Sequence, residues 1–256
     1  MYNYKFDDAG VYIGNLSNMG AKYGVSQYRF APNYELAGKE FVISDGKASH
    51  TIKFKCTKYA DLDGCDCEYE ALKLEASTYF VRLGFNIAVL DIGQGLVTLI
   101  VGDDYFHGRI EGTNAASGAE HVDAGDKMLG TSVAWYLGCE RFVWHEFKEQ
   151  GTCRVRWSPK PILKNDLPCK ATVIKYPIFL VDITGYGPFR TDAPAVLERS
   201  IFLQDYDHML TVGCLFGGGE TPIMVSGYAK FMDDVDAEAQ SATSAISSKA
   251  PDLPGF

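Results

Sequence analysis

Residues 87–104, IAVLDIGQGLVTLIVGDD, and residues 200–218, SIFLQDYDHMLTVGCLFGG, decide the fold between them. Each is an apolar run that ends on an aspartate, Asp91 or Asp205, then turns, restarts on a leucine, Leu96 or Leu210, and closes on glycine. Two short apolar runs joined by a polar turn read as a β-hairpin. The aspartate ahead of the turn is placed to accept backbone N–H bonds. One hairpin written twice in a chain reads as an internal duplication.

The match extends in both directions from these hairpins. ALKLEASTYFVRLGF (71–85) parallels PCKATVIKYPIFLVDITG (168–185), and HTIKFKCTK (50–58) parallels RFVWHEFKE (141–149). ELAGKEFVISDG (35–46) parallels KMLGTSVAWYLG (127–138), each with Leu- or Met-x-Gly, a strand and a turn. In HTIKFKCTK, Ile52, Phe54 and Cys56 alternate with Thr51, Lys53 and Lys55, the period of a half-buried strand. The repeat, about 90 residues long, exceeds any solenoid period, and short strands at regular spacing with turn signals point to barrels or sandwiches. The expectation is a mainly β protein of two tandem, calycin- or lipocalin-like antiparallel β-barrel units related by duplication, each with about six strands. One large barrel made of two half-sheets is the alternative, because inward and outward positions alternate in both.

The expected divisions are an aromatic N-terminal arm (1–34), a first unit (35–112), a small, polar linker (113–126), a second unit (127–232) and a disordered acidic tail (233–256). The arm carries Tyr2, Tyr4, Phe6, Tyr12, Tyr23, Tyr28, Phe30 and Tyr34, too many rings for a disordered leader. It is expected to lie across the body and close a barrel mouth.

The chain of 256 residues is 46% hydrophobic and carries a formal net charge of −9. The tail contributes −4 of that charge. An acidic surface repels phosphate backbones and anionic lipid, which argues against nucleic-acid and membrane partners. No apolar run is long enough for a membrane helix. MYNYKFDDAG at the N-terminus lacks the basic-then-apolar order of a signal peptide. Seven scattered cysteines with no CxxC pair read as reduced thiols, so the expected location is cytoplasmic. No zinc, calcium or phosphate-loop spacing is present, and neither GxGxxG, GxSxG nor HExxH occurs. No cofactor and no metal are expected.

The candidate site residues are ionisable or aromatic groups within apolar strands. On RFVWHEF, Arg141, Val143, His145 and Phe147 share one face, with Phe142, Trp144 and Glu146 on the other. A cavity lining has that composition, and so does an ordinary barrel strand. His145 is the candidate acid or base, because histidine titrates near neutral pH. Arg82 and Arg141 are candidates to hold a substrate oxygen. Trp144 is the candidate stacking wall, with Trp135, Tyr79, His107 and Asp182 as further contacts. Arg82 and Asp182 hold matching places in the two copies; a charge in such a strand faces solvent, pairs, or binds a polar ligand group. His50 and His121 read as surface or loop residues.

Leu-x-Gly-Lys-x-Phe at Leu36–Phe41, the run from Tyr136 to Trp144-His145, and the strand-turn-strand elements at 89–102 and 202–217 resemble the MoaF family over roughly residues 35–232. The resemblance implies an N- and a C-terminal MoaF domain with a fold similar to calycins, which include lipocalins and phenolic acid decarboxylases. It also implies small cofactor-free enzymes near natural-product pathways. Trp144 and His145 are the positions that match. The first copy lacks the Trp-His pair, and the arm and the insert at 184–200 lie outside the shared core. No Tyr-Tyr-Arg-Glu constellation is placed, so no decarboxylase activity is carried over.

Three functions follow as expectations. The first is a cofactor-independent lyase, isomerase or cyclase acting on a small hydrophobic molecule, aromatic or polyketide- or terpenoid-like, in secondary metabolism. The second is a non-catalytic carrier of such a ligand, and the third is a structural or assembly protein. A homodimer is left open.

Overall fold

The computed structural model describes residues 30–113, 119–138, 141–157, 165–186, 197–217 and 221–231. It contains two barrels. The first closes on itself through β1 (Glu40–Ser44), β2 (Ser49–Phe54), β3 (Tyr59–Leu62), β4 (Cys65–Glu75), β5 (Thr78–Leu83), β6 (Asn86–Asp91), β7 (Leu96–Val101) and β8 (Asp104–Ile110). A two-residue strand, β9 (Val122–Asp123), and a 3₁₀ turn at Gly125–Met128 lead to the second barrel. That barrel comprises β10 (Ser132–Gly138), β11 (Arg141–Glu146), β12 (Thr152–Trp157), β13 (Asn165–Lys175), β14 (Ile178–Thr184), β15 (Arg199–Asp205), β16 (Leu210–Phe216) and β17 (Ile223–Phe231). Pairing of β12 with β13 and of β10 with β17 closes it. Each unit therefore has eight antiparallel strands where the sequence pointed to about six. The difference includes four-residue β3, too short for an alternation to stand out.

Equivalent details recur in the two units. The β4–β5 ladder slips register between Lys73 and Glu75, and the β13–β14 ladder between Val173 and Lys175. Asp91 accepts the backbone N–H of Gln94, and Asp205 accepts those of Asp207 and His208. Both aspartates therefore hold turns together, as the sequence suggested. The β3–β4 hairpin turns on Asp63-Gly64, with φ of 52° and 87°. Positive φ at both central residues is what a type I′ turn requires, and Asp-Gly meets it at little cost.

Three apolar clusters form rather than two. One fills the first barrel with inward residues such as Phe54, Tyr69, Val81 and Leu99. Another fills the second with Trp135, Val143, Phe179 and Phe202. The third lies between the barrels, where outward residues Leu72, Phe80, Val89 and Ile100 meet Ile174, Leu180, Leu203 and Val212. Strand β5 is consequently buried at all six positions, and so is β14 except at its last residue. A strand covered on both faces reads as continuous apolar sequence, which is why TYFVRL and IFLVDI lack clean alternation.

Polar contacts rim this seam. Glu75 and Lys175, equivalent residues of the two copies, bond to each other. Asp182 on β14 takes two bonds from Arg199 on β15, 2.8 and 2.6 Å, and one from the Tyr105 hydroxyl of the first barrel. The connecting segment acts as a strut. Ala119 O accepts from Arg109, the His121 ring bonds the Thr98 hydroxyl at 2.7 Å, and Val122 pairs with Val173. His121, read from sequence as a surface or loop residue, is 5% exposed because this strut threads between the barrels.

At the chain's other crossing, Phe30 N donates to Ser226 Oγ of the second barrel and Asn33 N to Ala71 O of the first. Leu36 then enters the first barrel's core with no exposed surface. The remainder of the expected arm and the whole expected tail lie outside the described residues. No helix among the described residues is long and apolar enough to cross a membrane.

Candidate functional site

The interiors of the two barrels differ in chemistry. The cluster filling the first is apolar apart from the Tyr69 and Tyr79 hydroxyls, which bond Cys56 O and Glu35 respectively. The second encloses a polar chain. His145, inward on β11, is fully buried, and its Nδ1 lies 2.7 Å from Gln204 Nε2 on β15. Tyr206, just past β15, donates to Gln204 Oε1 at 2.9 Å. The Tyr206 ring meets the Trp135 ring edge-on at 5.5 Å, and Trp135 is inward on β10 with no exposed surface.

Local alternation explains each placement. Val143 and His145 fall in phase on β11, Val133 and Trp135 on β10, and Phe202 and Gln204 on β15. Only barrel closure brings the three strands around one interior. Phe202 lies edge-on to His145 at 5.2 Å, and its ring occupies the space a side chain at Gly213 would need.

Two N–H edges in this interior have no partner. With Gln204 oriented by Tyr206, its amide NH₂ donates to His145 Nδ1, so the neutral imidazole carries its proton on Nε2. His145 Nε2 and Trp135 Nε1 are both buried and make no hydrogen bond. Buried donors are nearly always paired, and the exceptions call for an explanation such as a ligand or an ordered water.

Burial pushes the His145 pKa down to about 3 and lifts that of the Tyr206 phenol well above its usual value. Both groups are therefore neutral at physiological pH. An imidazole with so little proton affinity is a poor general base near neutrality. A neutral imidazole N–H is, however, a competent donor to a carbonyl oxygen.

The sequence candidates fall in four places. His145 and Trp135 line the second barrel together. Trp144 faces the opposite side of β11, with the Arg156 guanidinium 5.2 Å from its ring centre. Stacking wall and imidazole are thus separated by the strand itself. Arg141 pairs through its backbone with Gly138, and its side chain lies outside the described residues.

Arg82, His107 and Asp182 all point out of their barrels at the seam. Arg82 is 7% exposed, and its Nε has no partner. Asp182 is taken by Arg199 and Tyr105 rather than by Arg82. His107 bonds Thr98 at 3.0 Å, and burial followed by nearby Lys170 lowers its pKa. Tyr79 lies at the end of the first barrel that Leu36 enters, donating to Glu35 at 2.6 Å.

Sequence reasoning passed over Gln204 and Tyr206. The available signal was a glutamine in phase with Phe202 inside the apolar run IFLQD. Among the described residues no group of histidine, cysteine and carboxylate side chains is arranged to hold a metal ion.

The buried histidines set an acid limit on stability. His121 is also pushed down to about 3, by burial first and then by His107. Between about 6.5 and 3 the unfolded chain binds protons at these two sites that the folded chain does not. The stability that these two neutral histidines contribute is therefore complete above pH 6.5 and falls as pH drops, by up to about 1.4 kcal/mol per pH unit for each. Urea midpoints measured from pH 7 to pH 4.5 should fall steeply. His121→Phe should remove about half of the histidine contribution to that slope, and an unchanged slope would place His121 in solvent.

No protein-family model matches the chain, and no curated protein matches it in sequence.

Proposed function

We propose that this is a small-molecule barrel protein in which the second barrel holds the ligand and the first serves as scaffold. The observation that carries this reading is the pair of buried, partnerless N–H edges on Trp135 and His145. They stand inside an aromatic interior whose other polar groups include Gln204, bonded to Tyr206, and Tyr186, bonded to Ser200. Ligand sites have this composition: apolar walls with a few placed polar groups. The reading agrees with the calycin-like, MoaF-like character inferred from sequence and with a cytoplasmic protein that works without a cofactor.

Binding comes ahead of catalysis because a histidine held near pKa 3 cannot easily take a proton from a substrate. One observation favours an enzymatic reading as the second choice. A neutral Nε2–H, fixed through Nδ1 by Gln204, is a preorganised donor that can polarise a carbonyl as charge develops on its oxygen. That would serve a cofactor-independent lyase, isomerase or cyclase acting on a small hydrophobic compound.

The experiment is native mass spectrometry of protein purified from its own host, followed by extraction and identification of what it carries. A stoichiometric small molecule that is lost in Trp135→Phe/His145→Phe supports the binding reading. Conversion of the extracted compound by wild type, abolished in His145→Phe with binding retained, would move the conclusion to the enzyme. Empty protein of both kinds, with the two donors bonded only to ordered water at high resolution, would sink both.

A further inference from the structure

We infer that the second barrel selects a neutral carbonyl compound, with Trp135 Nε1–H and His145 Nε2–H as the donors available to its oxygen; this rests on the binding reading above. The argument is one of complementarity. Both partnerless groups are donors, so the missing partner is an acceptor. Trp135 can only donate. The proton on His145 Nε2 follows from the bond at Nδ1, and Gln204 is in turn held by Tyr206.

The walls select against charge. The buried charged side chains described in the second barrel, Asp182 and Asp205, alternate with the inward Val181 and Gln204 and so face away from this interior. An ionised ligand would be buried without a counter-ion, which costs far more than a hydrogen bond returns. Trp135, Phe147, Phe179, Phe202 and Tyr206 make edge-to-face contacts with each other or with His145, at centroid distances between 5.2 and 6.3 Å. An apolar, aromatic surround of this kind suits an apolar body around the carbonyl. Gly213 leaves room for these rings, since a Cβ there would lie 2.4 Å from the Phe202 ring, which in turn packs on His145 at 5.2 Å. Gln204 is the positioning residue. Replaced by methionine, it would free Nδ1 and let the imidazole take either tautomer.

The test uses the full chain and three probes of one shape: acetophenone, ethylbenzene and benzoate. Isothermal titration calorimetry gives the affinities, and infrared spectroscopy of ¹³C=O-labelled acetophenone reports the hydrogen bonds. Acetophenone should bind at least about tenfold tighter than ethylbenzene, with its carbonyl stretch moved to lower frequency, and benzoate should bind weakest. Trp135→Phe and His145→Phe should each cut the ratio of acetophenone to ethylbenzene affinity by about fivefold. Gln204→Met should keep binding but broaden the carbonyl band.

Equal binding of acetophenone and ethylbenzene would overturn the carbonyl assignment and leave the binding reading standing. Tightest binding by benzoate would also overturn it. Failure of all three probes to bind would overturn both.

Discussion

Asp182→Ala should lower the unfolding free energy by about 3–5 kcal/mol, the usual cost of leaving one partner of a buried ion pair alone. Asp182 and Arg199 have side chains 5% and 14% exposed, and the guanidinium donates to both carboxylate oxygens. Removing the carboxylate strands that charge at the seam and takes away the acceptor of the Tyr105 hydroxyl. The remaining partners of Arg199, Gly102 O and the exposed Asp103, lie at the rim and return little. Asp182→Asn keeps an acceptor for Tyr105 but not the charge, and should fall between wild type and alanine. The double variant Asp182→Leu/Arg199→Met should recover most of the loss, because apolar replacement of a buried pair is often neutral. Equilibrium urea denaturation decides the matter. A loss below about 1 kcal/mol for Asp182→Ala would mean that the pair is solvated and contributes little to holding the barrels together.

Gly227→Ala is the second large effect expected, on the order of 3 kcal/mol or more. A Cβ built at Gly227 lies 1.9 Å from Tyr136 O and 2.8 Å from its carbonyl carbon. Both are backbone atoms, so no rotamer change relieves the contact. The strands involved, β10 and β17, are the first and last of the second barrel, and their pairing closes it. The close approach falls where β10 bulges, between Tyr136 and Gly138. Forcing these strands apart also opens the wall that carries Trp135, so the variant should disturb the interior around Trp135 as well as stability. Gly130→Ala is the informative control. It has open space around the added methyl but a φ of +80°, and should cost only about 1–2 kcal/mol. If Gly227→Ala and Gly130→Ala unfold at the same urea concentration, the closing strands are not in contact as described.

Much of the architecture was legible because strand information is local. The paired hairpins at 87–104 and 200–218 showed the duplication. Asp91 and Asp205 announced the turns they hold. The alternation in RFVWHEF put His145 and Trp144 on opposite faces before any coordinates. The candidate site was less legible, and the reason differs by residue. Arg82 and Asp182 stood out as charges in apolar strands. Alternation placed them in phase with Phe80 and Leu180, yet it does not say whether that face is the inside of a barrel or a covered outside. The runs TYFVRL and IFLVDI held a clue, since strands apolar on both faces must be covered on both. Gln204 carried a signal of its own, a polar residue in phase with Phe202, beside the more conspicuous Asp205.

By itself, then, the sequence determined the strand class, the turns, the twofold repetition and which residues of each strand share a face. All of these depend on neighbours two to four positions apart. Only the tertiary structure decided which face is enclosed, how many strands close each barrel, and that Trp135, His145, Gln204 and Tyr206 belong to one interior. His145 and Gln204 are 59 residues apart and meet only because the first and last strands of their barrel pair. Burial then removed the charge that an exposed histidine would carry. That shift depends on the water excluded by the whole barrel, and no local pattern encodes it.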